Sequence, residues 1–209
     1  MNEKIKTVVF TVAVTAVFVF LVSGVNALLS DRIVANRTVA RQKVILNLFG
    51  LAKTDSKLTN SEIPELFKTK TIRIATEKPA REIYRLNSSD SQLYVIGFSG
   101  QGFWDNISGY LAIDAAAATI SGLEFTSHGE TPGLGGRISE PEFKARFTNK
   151  KFGDAASPTR FRLVAEGSAS RPDEIDGITG ATGTSGAVEK ILNSTIANFL
   201  ELHKGGKLQ

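Results

Sequence analysis

From Thr7 to Ser30 the chain runs 24 residues without a charged side chain, most of them Val, Phe, Ala and Leu. At about 1.5 Å of rise per residue, a helix of that length spans a bilayer core of about 30 Å. A cleaved signal peptide is the competing reading, because Val25-Asn26-Ala27 faintly resembles a small-residue cleavage site. The apolar stretch of a signal is usually about 7 to 15 residues, however, and this one is longer. The pattern predicts a short tail over 1–6 and a retained transmembrane helix over 7–30. Lys4 and Lys6 precede the span and Arg32, Arg37, Arg41 and Lys43 follow it, so charge bias alone leaves its direction open.

The rest of the 209-residue chain is enough for one ordinary domain and too little for two. Val39, Val44, Ile45 and Leu48 recur at helical spacing up to Gly50, which predicts a stalk helix over 31–50 ahead of a domain over 51–209. Between Asp31 and Asp90 there are 12 Lys or Arg against 7 acids, a basic excess next to the span. Only Phe49, Phe67 and Tyr84 are aromatic there, so the interleaved stacking platform of a single-strand binder is missing and no nucleic-acid partner is expected. A solvated face or a contact with anionic headgroups fits such a modest basic surface better.

The sequence has no cysteine, which excludes disulfides, thiolate zinc sites and iron–sulfur clusters. With two histidines, His128 and His203, an imidazole-rich metal site is not expected either. Redox chemistry in such a chain requires a borrowed cofactor, and a metal held by carboxylates alone is left open without support.

Short strands are predicted over Thr71–Ala75, Glu82–Leu86, Leu93–Phe98, Tyr110–Ile113, Thr119–Ser127 and Phe161–Ala165, with the alanine run Ala115–Ala118 as a connection. A short helix is expected after the turn at Ser61–Pro64 and another over Glu140–Phe147. Val188, Ile191, Leu192, Thr195, Ile196, Phe199 and Leu200 form an amphipathic C-terminal helix. Together these predict an α+β domain with a twisted, mainly antiparallel sheet flanked by helices.

Asp176-Gly177-Ile178-Thr179-Gly180-Ala181-Thr182-Gly183-Thr184-Ser185-Gly186 leads directly into that last helix. Glycines free the backbone, hydroxyls offer hydrogen bonds, and a helix N-terminus attracts an anion, so the stretch suits a phosphate. A flexible loop with an ordinary cap is the simpler alternative on composition alone. No lysine stands where a P-loop needs one, and the Gly-x-Ser-x-Gly elbow of a hydrolase using His128 is absent.

The order of these residues resembles the motif recognised by bacterial flavin transferases: Asp, two residues, Ser or Thr, Gly, Ala, Thr or Ser, one residue, and the acceptor Ser or Thr. Asp176, Thr179, Gly180, Ala181, Thr182 and Thr184 fill every defined position, with Thr179 where serine is commoner and Gly183 where a larger residue is common. The resemblance implies FMN joined covalently through its phosphate to Thr184, with Thr182, Thr179, Gly180 and Ala181 around it and Asp176 read by the transferase.

His128-Gly129-Glu130-Thr131-Pro132-Gly133-Leu134-Gly135 is similar to a loop of the flavin-binding components of two related ion pumps, NqrC of the sodium-translocating NADH:quinone reductase and RnfG of the Rnf complex. It adds Glu130, Thr131, Leu134 and Gly135 as implied flavin neighbours. Gly100-Gln101-Gly102-Phe103-Trp104 and Gly109-Tyr110-Leu111-Ala112 resemble the NqrC family more, as do Arg41-Gln42-Lys43 and Leu46-Asn47-Leu48. For Trp104, core packing is the first expectation and flavin contact the second.

Membership of this family implies an electron-transfer flavoprotein subunit of a redox-driven sodium translocase, anchored in a bacterial inner membrane with its FMN domain on the periplasmic side. It also implies other membrane subunits as partners, NADH as ultimate donor, a quinone as acceptor, and maturation by a flavin transferase. An Rnf-type component and an anchored envelope module without cofactor are the alternatives.

Overall fold

A computed structural model describes residues 2–52, 58–74, 82–88, 92–115, 118–152, 160–206 and 208. The chain divides into two compact units, Met1–Ala40 and Arg41–Gln209. The first is a stretch of α1, a single 46-residue helix over Glu3–Leu48 that begins within the expected tail, runs through residues 7–30 and follows the expected stalk as far as Leu48. Its apolar window is long and hydrophobic enough to cross a membrane, and none of that window is buried.

The second unit begins with the last two turns of α1, where Ile45 and Leu46 are fully buried. The helix stops as its sequence suggests: Gly50 N–H donates to Asn47 O and Leu51 N–H to Leu46 O, a Schellman closure that satisfies carbonyls the helix leaves open. A short helix, α2 (Ile63–Lys70), follows. A five-stranded sheet then runs in chain order as an antiparallel meander: β1 (Thr71–Ile74), β2 (Ile83–Leu86), β3 (Leu93–Gln101), β4 (Asn106–Asp114) and β5 (Thr119–Ser127).

After β5 come a 3-10 turn over Gly135–Ser139 and α3 (Pro141–Ala145). A two-stranded parallel pair, β6 (Arg162–Val164) and β7 (Glu174–Asp176), precedes α4 (Thr182–Lys204). The α+β class with a long N-terminal helix and a mainly antiparallel sheet is the expected one.

Side chains alternate across strands, and here both faces are covered. Tyr94, Ile96 and Phe98 of β3 and Leu111 and Ile113 of β4 face a core shared with Val188, Leu192, Ile196 and Phe199 of α4 and with Phe143, Phe147, Phe152 and Phe161. Val95, Tyr110 and Ala112 face the other way, onto Ile45 and Phe49 beside Tyr84. That second face is also tied electrostatically. Arg41 Nη1 donates to Glu82 Oε1 at 2.7 Å and the Tyr110 hydroxyl to Glu82 Oε2 at 2.6 Å. Burial first, and then the neighbouring carboxylate, push the Tyr110 phenol well above its ordinary range.

Several element boundaries differ from the sequence reading, for identifiable reasons. β3 and β4 extend past the predicted Phe98 and start before Tyr110 because their register continues without a break through Gly100↔Ile107 to Gln101↔Asn106, a pairing that glycines and serines do not advertise. Among the described residues, β7 pairs with the equally short β6 alone. Helix α3 ends at Ala145, short of the predicted Phe147, and Asn149 turns the chain with φ of 63°. Strand β2 starts one residue after Glu82, whose side chain instead serves Arg41 and Tyr110. Ala75 at the predicted end of β1, and Ala116 and Ala117 of the alanine run, lie outside the described residues.

Candidate functional site

Three connections converge at one end of the sheet: the β3–β4 hairpin tip carrying Phe103 and Trp104, the loop after β5 carrying Glu130 to Gly135, and the β7–α4 loop with the first turn of α4. Together they line a cavity of about 250 Å³ formed by Phe103, Trp104, Glu130, Thr131, Leu134, Gly135 and residues 180–184. Each connection contributes what its sequence is suited for. The hairpin tip exposes aromatic surface, the middle loop brings one carboxylate inward, and the last ends on the free amides of a helix.

The carboxylate is Glu130, only 4% exposed. Its Oε1 accepts the backbone N–H groups of Phe103 at 2.9 Å and Trp104 at 3.0 Å. Its Oε2 accepts the Thr184 hydroxyl at 2.5 Å, the length expected for a hydroxyl on an ionised carboxylate. Burial works to raise the Glu130 carboxyl, but the Thr184 hydroxyl and the amides of Trp104, Asp105 and Phe103 outweigh it and hold the group below its ordinary value. Thr184 itself is 3% exposed, and Gly135 lies so close over its Oγ1 that a Cβ at position 135 would collide with it.

Helix α4 starts at Thr182, and Ala181 before it provides no side-chain cap. The first intrahelical bond at this end runs from Ser185 N–H to Ala181 O, so the amides of Thr182, Gly183 and Thr184 have no acceptor within the helix and border the cavity. The neighbouring hydroxyl has a different task, since Ser185 Oγ accepts Ile178 N–H at 3.1 Å and closes the loop on itself.

A second polar network holds the start of the motif. Arg146, just past α3, donates to Asp176 O at 2.9 Å, to Gly177 O at 2.6 Å and to Glu166 Oε1 at 2.8 Å. Glu166 Oε2 takes the amide of Thr179 at 3.1 Å. The Arg146 hydrogen bond, followed by those from Thr179, draws the Glu166 carboxyl down from 4.5 to about 2. Asp176 points into the preceding turn, where its Oδ1 accepts the amides of Ser168 and Ala169.

Thr184, Thr182, Gly180, Ala181, Glu130, Thr131, Leu134, Gly135 and Trp104 thus come together around one cavity, whereas Thr179 and Asp176 belong to the Arg146–Glu166 network beside it. Core packing of Trp104 is not observed: the indole is 68% exposed and meets Phe103 edge to face, with ring centres 5.4 Å apart. A hairpin tip cannot reach the core when both faces of its sheet are already covered. His128 Nε2 pairs with Ser139 Oγ at 2.9 Å, and the hydroxyls of Thr184 and Ser185 have other partners, so these residues assemble no hydrolase triad.

The roles of Phe103, Gly183 and Arg146 were not signalled by the motifs. The adjacent Phe103-Trp104 pair at a glycine-rich turn was the one available cue for Phe103. The glycine at 183 has a steric reason, since a Cβ there would run into the Phe103 ring, while a Cβ at Gly186 meets nothing within 4 Å.

Two outcomes follow from this packing. Gly186→Ala should stabilise the domain by about 0.5–1 kcal/mol, the usual gain for replacing a helical glycine, whereas Gly183→Ala should fall short of it and shift the emission of Trp104, the lone tryptophan, to longer wavelength. Denaturation midpoints and fluorescence spectra read both. Because the folded Glu166 carboxyl lies below its ordinary 4.5, its stabilisation is present above that value and is lost as pH falls toward about 2. Glu166→Gln should therefore lose less stability than the parent between pH 4.5 and 2, measured as midpoints across that range.

Residues 102–197 match the family described as FMN-binding domain. The NqrC component of the Na(+)-translocating NADH-quinone reductase from Yersinia pestis is 33% identical over 115 residues, which is 54% of this chain and 43% of that protein. Its counterpart from Vibrio anguillarum is 26% identical over an alignment covering 90% of this chain and 89% of the relative. The more identical matches are thus local, while the long one reaches nearly end to end. Among solved structures, the same component from Parabacteroides distasonis superposes with a TM-score of 0.63 at 23% identity, covering 79% of this chain and 92% of that one. NqrC from Shewanella oneidensis gives 0.60 at 20% identity, covering 79% and 97%. By sequence and by fold, the chain is similar to the NqrC components of the sodium-translocating NADH-quinone reductases, and its residues 102–197 match the FMN-binding domain family.

Proposed function

We propose that this chain is the membrane-anchored, FMN-carrying electron-transfer subunit of a sodium-translocating NADH:quinone reductase, and that the FMN is held covalently through its phosphate on Thr184. The observation that carries the reading is the position of Thr184: it stands in the first turn of α4 and, with Thr182 and Gly183, lines the cavity that the flavin-transferase motif and the Glu130 loop form together.

The residues suit FMN in both of its parts. At about 250 Å³ the cavity is below the roughly 300 Å³ at which pockets for whole small molecules begin, so it matches a phosphate and its first attachments rather than a complete flavin. The unpaired amides and the positive end of α4 would hold the phosphate, and Thr182, which also lines the cavity, would add its hydroxyl. Phe103, Trp104 and Leu134, 60%, 68% and 45% exposed, offer the apolar surface that a flat ring needs. When bound, FMN supplies reversible one- and two-electron transfer. The protein's task is to fix where that group sits.

The apolar length of α1 supports a membrane anchor; in this reading the membrane is the inner one and the domain over 51–209 works on the periplasmic side. On that side a covalent link has a clear use, because lost FMN has no ready replacement. In this reading the chain exchanges electrons with other membrane subunits, between NADH as ultimate donor and a quinone as acceptor, and a flavin transferase that reads Asp176 matures it. The NqrC relatives favour this over an Rnf-type component.

Co-expression with a flavin transferase, followed by denaturation, intact mass and in-gel flavin fluorescence, tests the attachment. Wild type should retain the mass of FMN less one water and fluoresce, and Thr184→Val should do neither. Equal labelling of both, or of neither, would reject it.

A further inference from the structure

We propose that Glu130 is a general base that the chain supplies for its own flavinylation, taking the proton from Thr184 as the phosphate ester forms. The inference rests on Thr184 being the acceptor.

An alcohol is a poor nucleophile until a neighbouring group can receive its proton. The Thr184 hydroxyl already donates to Glu130 Oε2 at 2.5 Å, in a site where both residues are nearly shut off from solvent. The carboxylate is held in this orientation. Its other oxygen is fixed by the amides of Phe103 and Trp104, so Oε2 is the atom left to face Thr184. Of the ionisable groups nearby, Glu130 is the one bonded to the Thr184 hydroxyl: Asp176 takes the amides of Ser168 and Ala169, Glu166 takes Arg146 and Thr179, and His128 pairs through Nε2 with Ser139, its buried Nδ1 having no partner among the described residues.

The donor must be an activated flavin phosphate, meaning FMN joined through a phosphoanhydride as in a flavin dinucleotide. Thr184 Oγ1 bonds to the flavin-side phosphorus, the anhydride P–O bond breaks, and the adenylate half leaves with its electron pair while the proton passes to Glu130. A carboxylate held below its ordinary range is a weak base, which suits phosphoryl transfer, where positioning dominates and an aspartate serves the same role in kinases. The transfer also removes a conflict of charge. Once esterified, Thr184 can no longer donate, and a protonated Glu130 stands beside the new phosphate without repelling it.

The test is the rate at which the full-length chain in detergent gains the flavin mass with purified transferase and flavin dinucleotide, for wild type, Glu130→Gln and Glu130→Asp between pH 6 and 9. Glu130→Gln keeps an oxygen for the Phe103 and Trp104 amides but cannot take the proton. Its rate should fall by roughly a hundredfold or more, and the wild-type to Gln ratio should shrink as pH rises and hydroxide substitutes for the missing base. Taking ratios cancels the transferase's own pH dependence. Glu130→Asp, which keeps a carboxylate, should be slower than wild type but follow its pH profile.

A Gln variant modified within about threefold of wild type, or slowed by one constant factor at every pH, overturns the assignment. So does a Glu130→Asp profile that follows Gln. Wild type labelled on Thr184 with Gln equally fast refutes the base alone, whereas wild type that takes no flavin on Thr184 refutes the attachment reading beneath it.

Discussion

The hydrogen bond between Thr184 and Glu130 joins parts of the chain that sequence keeps far apart. Through its two oxygens Glu130 binds the first turn of α4 on one side and the β3–β4 hairpin tip on the other, so one buried carboxylate holds three connections around a single cavity. A buried carboxylate is costly unless its lone pairs are occupied, and these are. The same arrangement fixes the rotamer of Thr184, exposes Phe103 and Trp104 at the rim, and leaves the amides at the head of α4 free for an anion. Loss of Glu130 would therefore disturb geometry as well as chemistry.

The fold allows this precision because the sheet beneath is packed on both faces. On one side α4 lies against β3, with Phe199 and Tyr94 rings 5.4 Å apart, which sets the direction of the helix and therefore the position of its N-terminus. On the other, the end of α1 is fastened by Arg41, Glu82 and Tyr110 over Ile45 and Phe49. Arg146 then anchors the entry to the motif by binding the carbonyls of Asp176 and Gly177. Loops positioned by a rigid scaffold carry the function.

Much of this was legible in the amino-acid order, because the informative signals are local. The uncharged run announces a long apolar helix, the periodicity from Val188 to Leu200 gives α4, and the Asp176–Thr184 motif and the Glu130 loop name most of the residues that meet at the cavity. What escaped depends on tertiary partners. Glu130 and Thr184 are 54 positions apart, and nothing in either motif says that they touch. Trp104 reads as a core residue until the sheet is seen to be covered on both faces, and the glycine at 183 looks permissive until Phe103 is seen above it. Strand β7 is too short to show any alternation.

The most direct measurement is tandem mass spectrometry of the peptide spanning Asp176 to Gly186, from chain purified out of its native host and denatured before digestion. Fragment ions should place the mass of FMN less one water on Thr184 and leave Thr182 and Ser185 unmodified. Flavin on either neighbour, or flavin released on denaturation with the peptide bare, would contradict covalent carriage by Thr184 and leave its bond to Glu130 as a purely structural joint.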